Sequence, residues 1–77
     1  MKKFNELNEN DIIKIENYVL RVIKYNNEKN RYVVRGRKEN NEFDTFLSYL
    51  VTDEEYEKMD AVTRMYCTPF SKVSEVL

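Results

Sequence analysis

Apolar and polar residues alternate most regularly between Asp11 and Arg37. Three runs there, residues 11–16, 18–26 and 30–37, are rich in Ile, Val and Tyr. Such side chains suit a pleated, half-buried surface, so the pattern predicts three consecutive β-strands. Glu16-Asn17 forms a tight junction between the first two, where Asn tolerates the positive φ of a short hairpin turn. Residues 26–30 form a longer polar turn. In the third run Tyr32 and Val34 take one side, and Arg31, Arg35 and Arg37 the other, because side chains alternate. Val33 interrupts that pattern. The second run is apolar on both parities, which predicts a central strand or a strongly curled sheet. Gly36 is the only glycine and reads as a bulge or bend.

Phe4 and Leu7, three apart in a polar segment, suit one helical turn docked on the sheet edge. Residues 43–51 fit either a helix face or a strand; length and aromatic content favour a strand. Thr52-Asp53-Glu54-Glu55 matches a capping box, with acids in the first turn suiting the positive helix end. One helix is expected from Asp53 to about Tyr66, with Tyr56, Met59, Val62 and Tyr66 on one arc. It should pack through Tyr56 and Met59 and show solvent an acidic stripe of Asp53, Glu57 and Asp60. Pro69 disfavours helix at Thr68, and the tail fits a short helix or a last strand. The expected fold is a single α+β domain, mainly β, spanning residues 1–77. It has a small antiparallel sheet of four or five strands, curled or closed, with one C-terminal amphipathic helix.

Size limits the core. A chain of 77 residues buries a modest apolar core and commonly leans on a disulfide, a metal or a partner. Cys67 is the only cysteine and there is no histidine, so neither an internal disulfide nor a common zinc set can form. A homodimer is one way to supply the missing support. The lone thiol fits a reducing compartment. Met1-Lys2-Lys3 is followed by polar residues rather than an apolar run, and no segment is long enough to span a bilayer. These features predict a cytoplasmic protein that does not associate with membranes.

The chemistry open to the chain is narrow. One glycine excludes a phosphate-cradling loop. Without histidine, the usual Ser-His and Cys-His nucleophile pairs are ruled out. Acids spaced along one helix face read as a solvated stripe rather than a cation site. The expectation is a non-enzymatic protein without cofactor or metal.

Charge is the feature left. The formal net charge is −1, yet residues 21–38 carry seven bases and one acid, and residues 39–60 one base and eight acids. Segregation of this kind suits charged partners, unless the two halves neutralise each other in the fold. The acidic set, Asp44, Asp53, Glu54, Glu57 and Asp60, would stand where phosphates stand and dock on a basic protein groove. The basic set, Arg31, Arg35, Arg37 and Lys38, with Tyr25 and Tyr32 nearby, would instead meet nucleic-acid phosphates and bases.

Two resemblances extend this reading. Leu7-x-x-Asn10-Asp11-Ile12-Ile13-Lys14-Ile15, then Tyr18 to Ile23 and Tyr32-Val33-Val34, resembles the opening of small SH3-like barrels, with Asn10 where those have Gly. It implies a partly open barrel. The abundance of Asn, Lys, Glu and Tyr, with one Gly and one Pro, resembles short phage proteins of low-GC Gram-positive hosts. That likeness implies a host-takeover inhibitor, acting in the host cytoplasm on a DNA-processing protein. A replication factor such as the sliding clamp, whose positive channel an acidic DNA mimic would fill, is one such target.

Overall fold

A computed structural model describes all residues, Met1–Leu77. The chain is mainly β. Six strands form one sheet: β1 (Ile12–Ile15), β2 (Tyr18–Asn26), β3 (Arg31–Lys38), β4 (Phe46–Val51), β5 (Cys67–Pro69) and β6 (Glu75–Val76). Their order across the sheet is β5-β4-β3-β2-β1-β6. All neighbours are antiparallel except β4 and β5, which run parallel. The sheet curls into a half-barrel.

The small, mainly β fold expected from the alternation is present. The strand count is six rather than four or five, because the tail supplies two short strands that sequence spacing left undecided. β5 and β6 flank a 3-10 turn at Phe70–Lys72. The single helix is a second correction. Two helices occur, α1 (Asp53–Lys58) and α2 (Ala61–Arg64). Met59 and Asp60 between them are extended, at φ −80°, ψ 150° and φ −75°, ψ 171°. Two side chains enforce the break. Asp60 caps α2 by accepting the Thr63 amide at 2.8 Å, the local competition that makes Asp a capping residue. Arg64 donates from Nε to the Tyr56 carbonyl at 3.0 Å and from Nη2 to the Glu57 carbonyl at 2.9 Å. Those carbonyls would otherwise accept amides of a continuing helix. Tyr56 and Met59 are half-buried as expected, whereas Val62 and Tyr66 are exposed. The N-cap at Thr52 is present, its hydroxyl accepting the Glu55 amide.

The core lies on the inner side of the curl. Ile13, Ile15, Leu20, Val22, Tyr32, Val34 and Leu50 converge there. Phe4 and Leu7 close over them from a 3-10 turn at Phe4–Glu6, and Val73 from the tail. Phe4 meets Tyr32 and Phe70 edge-on at 5.0 and 5.6 Å between ring centres, a favoured aromatic geometry. The Tyr32 hydroxyl donates to the Phe4 carbonyl at 2.7 Å, so the buried ring leaves no unsatisfied donor. Burial raises the pKa of that hydroxyl above its ordinary value and keeps it a neutral donor.

Turn chemistry is local. The two-residue turn pairs Ile15 with Tyr18, and its positive φ falls on Glu16 (54°) rather than Asn17. The bulge lies at Ile23 in β2, where the register slips between Val22 and Lys24, and not at Gly36. Gly36 serves close packing instead: a Cβ there would come 2.6 Å from Phe46 Cζ and 2.9 Å from Leu20 Cγ. Gly36→Ala should cost about 1–3 kcal/mol, the range for overpacking a filled core, measured by urea unfolding. An unchanged midpoint would mean that Phe46 and Leu20 give way freely.

Acid sensitivity follows from two carboxylates. The Asn8 amide, and then Lys2, hold the Asp11 carboxyl below the usual carboxylate range. The Thr63 amide does the same for Asp60. A folded pKa below the unfolded one adds stability above the unfolded value, and that stability is lost as pH falls through the folded value. Urea midpoints should therefore stay level from about pH 7 to about pH 5 and drop below about pH 4. Asp60→Asn should flatten part of that drop.

Candidate functional site

Strand alternation carries the core inward and leaves the outer side of the sheet to other residues. The β2–β3 register sets Arg21 directly opposite Arg35, and Val19 opposite Arg37. β3 in turn sets Arg35 opposite Leu47 and Val33 opposite Tyr49. Arg31, Arg35 and Arg37 share this outer side, as the sequence pattern predicts. Lys38 has the parity of Tyr18 and points to the other side.

The charges of this face find few partners within the molecule. Two ion pairs occur, Lys2–Asp11 and Lys14–Glu39. Glu39 raises the pKa of the Lys14 ammonium through a hydrogen bond and its charge. Neither pair joins the arginines of β3 to the acids of α1. Arg37 donates to the carbonyls of Lys38 and Glu39 at 3.1 and 3.0 Å, which positions its guanidinium and leaves its charge. Arg31 lies over the Tyr49 ring, 5.2 Å from its centre, with a buried Nε that makes no hydrogen bond. Arg21 and Arg35 are exposed and unpaired. A shallow cleft of about 330 Å³ opens between these strands, lined by Arg21, Arg35 and Arg37 with Ile12, Val19 and Ile23. Three guanidiniums on an apolar floor suit an anion, since Arg forms charge-assisted hydrogen bonds to phosphate or carboxylate oxygens.

The aromatic residues differ from those expected beside the basic strand. Tyr32 is buried in the core, and Tyr25, across from it, donates to Asn30 at the hairpin. Tyr49 is the aromatic of the outer face. Arg21 and Tyr49 went unassigned from sequence because both depend on pairing register. A signal for Arg21 exists: once the 26–30 turn is folded as a hairpin, Arg21 falls near Arg35.

The acidic residues are spread over several elements. Asp44 sits in the loop before β4, exposed. Asp53 accepts the Ser71 amide at 3.0 Å, and Asp60 caps α2. Glu54 and Glu57 are exposed on α1. The break at Met59 takes Asp60 off the arc that Asp53 and Glu57 share. No three His, Cys, Asp or Glu side chains come together as a metal set.

Cys67 is buried, and burial pushes its thiol pKa up, with Arg31 opposing. The largest concavity, about 390 Å³, lies inside the curl between Ile15, Tyr18, Leu20, Phe46 and Lys72. Glu16, Lys72, Thr68 and Cys67 also line it, with the Thr68 hydroxyl engaged by Ser48 at 3.0 Å. No helix is long and apolar enough to cross a membrane. Compared with known proteins, the chain matches no family model, no curated sequence and no solved structure.

Like charges directly opposite in a sheet destabilise it. Arg21→Gln should therefore stabilise the fold by about 0.3–1 kcal/mol at low salt, and the gain should shrink as salt screens the pair. Urea unfolding at two salt concentrations measures both. A loss of stability would mean that the Arg21 stem contributes more by packing than its charge costs.

Proposed function

We propose that this chain is a non-enzymatic binding module that grips nucleic acid through the outer face of its sheet. The observation that carries the reading is the Arg21–Arg35 pair, flanked by Arg37 and Arg31 and lacking any carboxylate partner. Two like charges held face to face cost stability in isolation. A phosphate between them converts the repulsion into attraction, which gives the arrangement a purpose. The cleft floor of Ile12, Val19 and Ile23 gives a bound partner apolar surface to cover, and covering it displaces the water that screens the arginines. Tyr49, exposed and with Arg31 over one face of its ring, supplies an aromatic surface for an unpaired base to stack beside. The overall charge of −1 argues for a local footprint of a few phosphates, not a long tract. The SH3-like resemblance belongs to this proposal as well, as a curled β1–β4 meander that presents one outward face.

Fluorescence anisotropy with labelled single-stranded and duplex oligonucleotides tests it. Binding should appear with Kd on the order of 1–100 µM and weaken steeply with salt. Arg21→Gln with Arg35→Gln should make the plot of log K against log salt shallower by about 2, one contact per residue. Absence of binding at about 100 µM protein in about 50 mM salt would overturn the proposal.

A second reading rests on a different observation: Glu54 and Glu57 stand exposed on α1 without a cationic partner. In it the chain is a phage-type inhibitor acting in the host cytoplasm. The acids Asp44, Asp53, Glu54, Glu57 and Asp60 imitate DNA toward a DNA-processing protein such as the sliding clamp. Asp53 and Asp60 take part while accepting the Ser71 and Thr63 amides. Glu54→Lys with Glu57→Lys separates the two readings: it abolishes clamp binding in this one and leaves nucleic-acid binding intact in the first.

A further inference from the structure

Across the outer side the molecule runs from β2 and β3 through β4 to the helices that contact β5, and three kinds of residue stand along it. The first is basic: Arg21 on β2, and Arg35 and Arg37 on β3. The second is apolar and exposed: Leu47 (63%) on β4, and Val62 (65%) and Met65 (80%) of α2 and its end. The Tyr49 amide donates to the Tyr66 carbonyl at 3.0 Å, which fixes the end of α2 beside β4. The third is acidic: Glu54 and Glu57 on α1. The helices lie on this same side. Val51 has outward parity by register with Tyr49, yet it is buried and lies outside the inner core. α1 and α2 are the helices that contact β5, and they supply the cover.

We infer that the occupant of this surface is a second copy of the chain, related by a two-fold axis lying along the apolar set. Such an axis lays Leu47, Val62 and Met65 against their own equivalents. It also lays the arginines of each copy against Glu54 and Glu57 of the other, twice over. This is the self-complementarity that a two-fold interface demands. A heterologous partner would need the same three sets in the same spacing, whereas a second copy carries them by construction. The molecule measures 33 × 27 × 19 Å, so an interface of the standard roughly 800 Å² per partner would take most of its broadest side. The inference goes beyond the nucleic-acid reading and shares its basic face. Where both hold, nucleic acid must displace the second copy.

The test is a charge swap read by sedimentation equilibrium without nucleic acid. Wild type should be dimeric at about 100 µM in about 0.1 M salt. Its dimer Kd should weaken about tenfold or more in about 1 M salt, where the screening length falls from roughly 10 Å to roughly 3 Å. Arg21→Glu with Arg35→Glu should be monomeric, because acid then faces acid. Glu54→Lys with Glu57→Lys should be monomeric for the opposite reason. Mixed one to one, the two variants should form a heterodimer, since every contact is again between opposite charges. Heterodimer formation also proves both variants folded, and circular dichroism of each alone checks this independently. A monomeric wild type, variants that dimerise as wild type does, or a mixture of folded variants that stays monomeric each overturn the inference. Anisotropy on the Glu54→Lys, Glu57→Lys monomer reports separately on nucleic acid. A dimer with no nucleic-acid binding removes the proposed function alone, and binding by a monomeric wild type removes the dimer alone.

Discussion

Side chains of a strand alternate between two sides, and this chain has apolar residues enough to fill only one. That constraint shapes the rest. The inner side takes Ile13, Leu20, Val22, Val34 and Leu50 to near-complete burial. Phe4, Leu7, Phe70 and Val73, from the two ends of the chain, form the lid over them. A closed barrel would need longer edge strands than β5, with three residues, and β6, with two. The half-barrel is held by its lid instead, with Tyr32 at the join. Its ring packs on Phe4 and its hydroxyl ties to the Phe4 carbonyl. What the inner side consumes, the outer side lacks. Outside, apolar burial is confined to the β4–β5 edge under the helices.

The split explains how far the sequence could be read. The span of β2 was legible to the residue, because a nine-residue run with Tyr, Val, Leu and Ile at six positions between two turns leaves little choice. The inward and outward parities of β3 were legible for the same reason. Gly36 was misread: a lone strand glycine can serve a bulge or a close approach, and only the ring of Phe46 across the sheet decides. The helix break was hidden because its cause is partly non-local in character. Arg64 reaches back to Tyr56 and Glu57 and takes the carbonyls that continuation would use, and periodicity records only which face a residue would share if the helix continued. β5 and β6 are too short to carry a pattern, and exist because β4 and β1 offer edges. Of the candidate site, Arg31, Arg35 and Arg37 were legible as a row. Arg21 and Tyr49 were not, since membership of a cross-strand patch is a property of register.

The distribution of charge is also a product of topology. Residues 21–38 and 39–60 carry opposite charges, and a fold that packed one on the other would have neutralised them. Here β3 lies inside the sheet with β2 and β4 as neighbours, and α1 follows β4 to the far edge over β5. One exposed strand, β4, therefore stands between the arginines and the acids. Leu47 and Tyr49 fill that gap with apolar surface, so the opposed charges remain in sight of each other without contact. The pairs that do form are Lys2–Asp11 near the lid and Lys14–Glu39 near the β1–β2 turn. Both lie outside this separation.

Arg21 opposite Arg35 is the place where stability and recognition part company. A sheet under selection for stability alone would place a β-branched residue or an opposite charge at one of the two positions. Two arginines there are tolerated because both are exposed, where water screens the repulsion. The same screening limits what the pair can contribute to binding until a partner displaces the water. An apolar surround is what makes that displacement favourable, and the face supplies it: Ile12, Val19 and Ile23 in the cleft, and Leu47 beside it. Any partner that covers this face must therefore bring negative charge and cover apolar surface together. A free anion does only the first. A nucleic acid, through phosphates and base faces, and a second copy, through α1 and Met65, each do both. The two proposed occupants call on the same surface, so they would exclude each other without any change of fold.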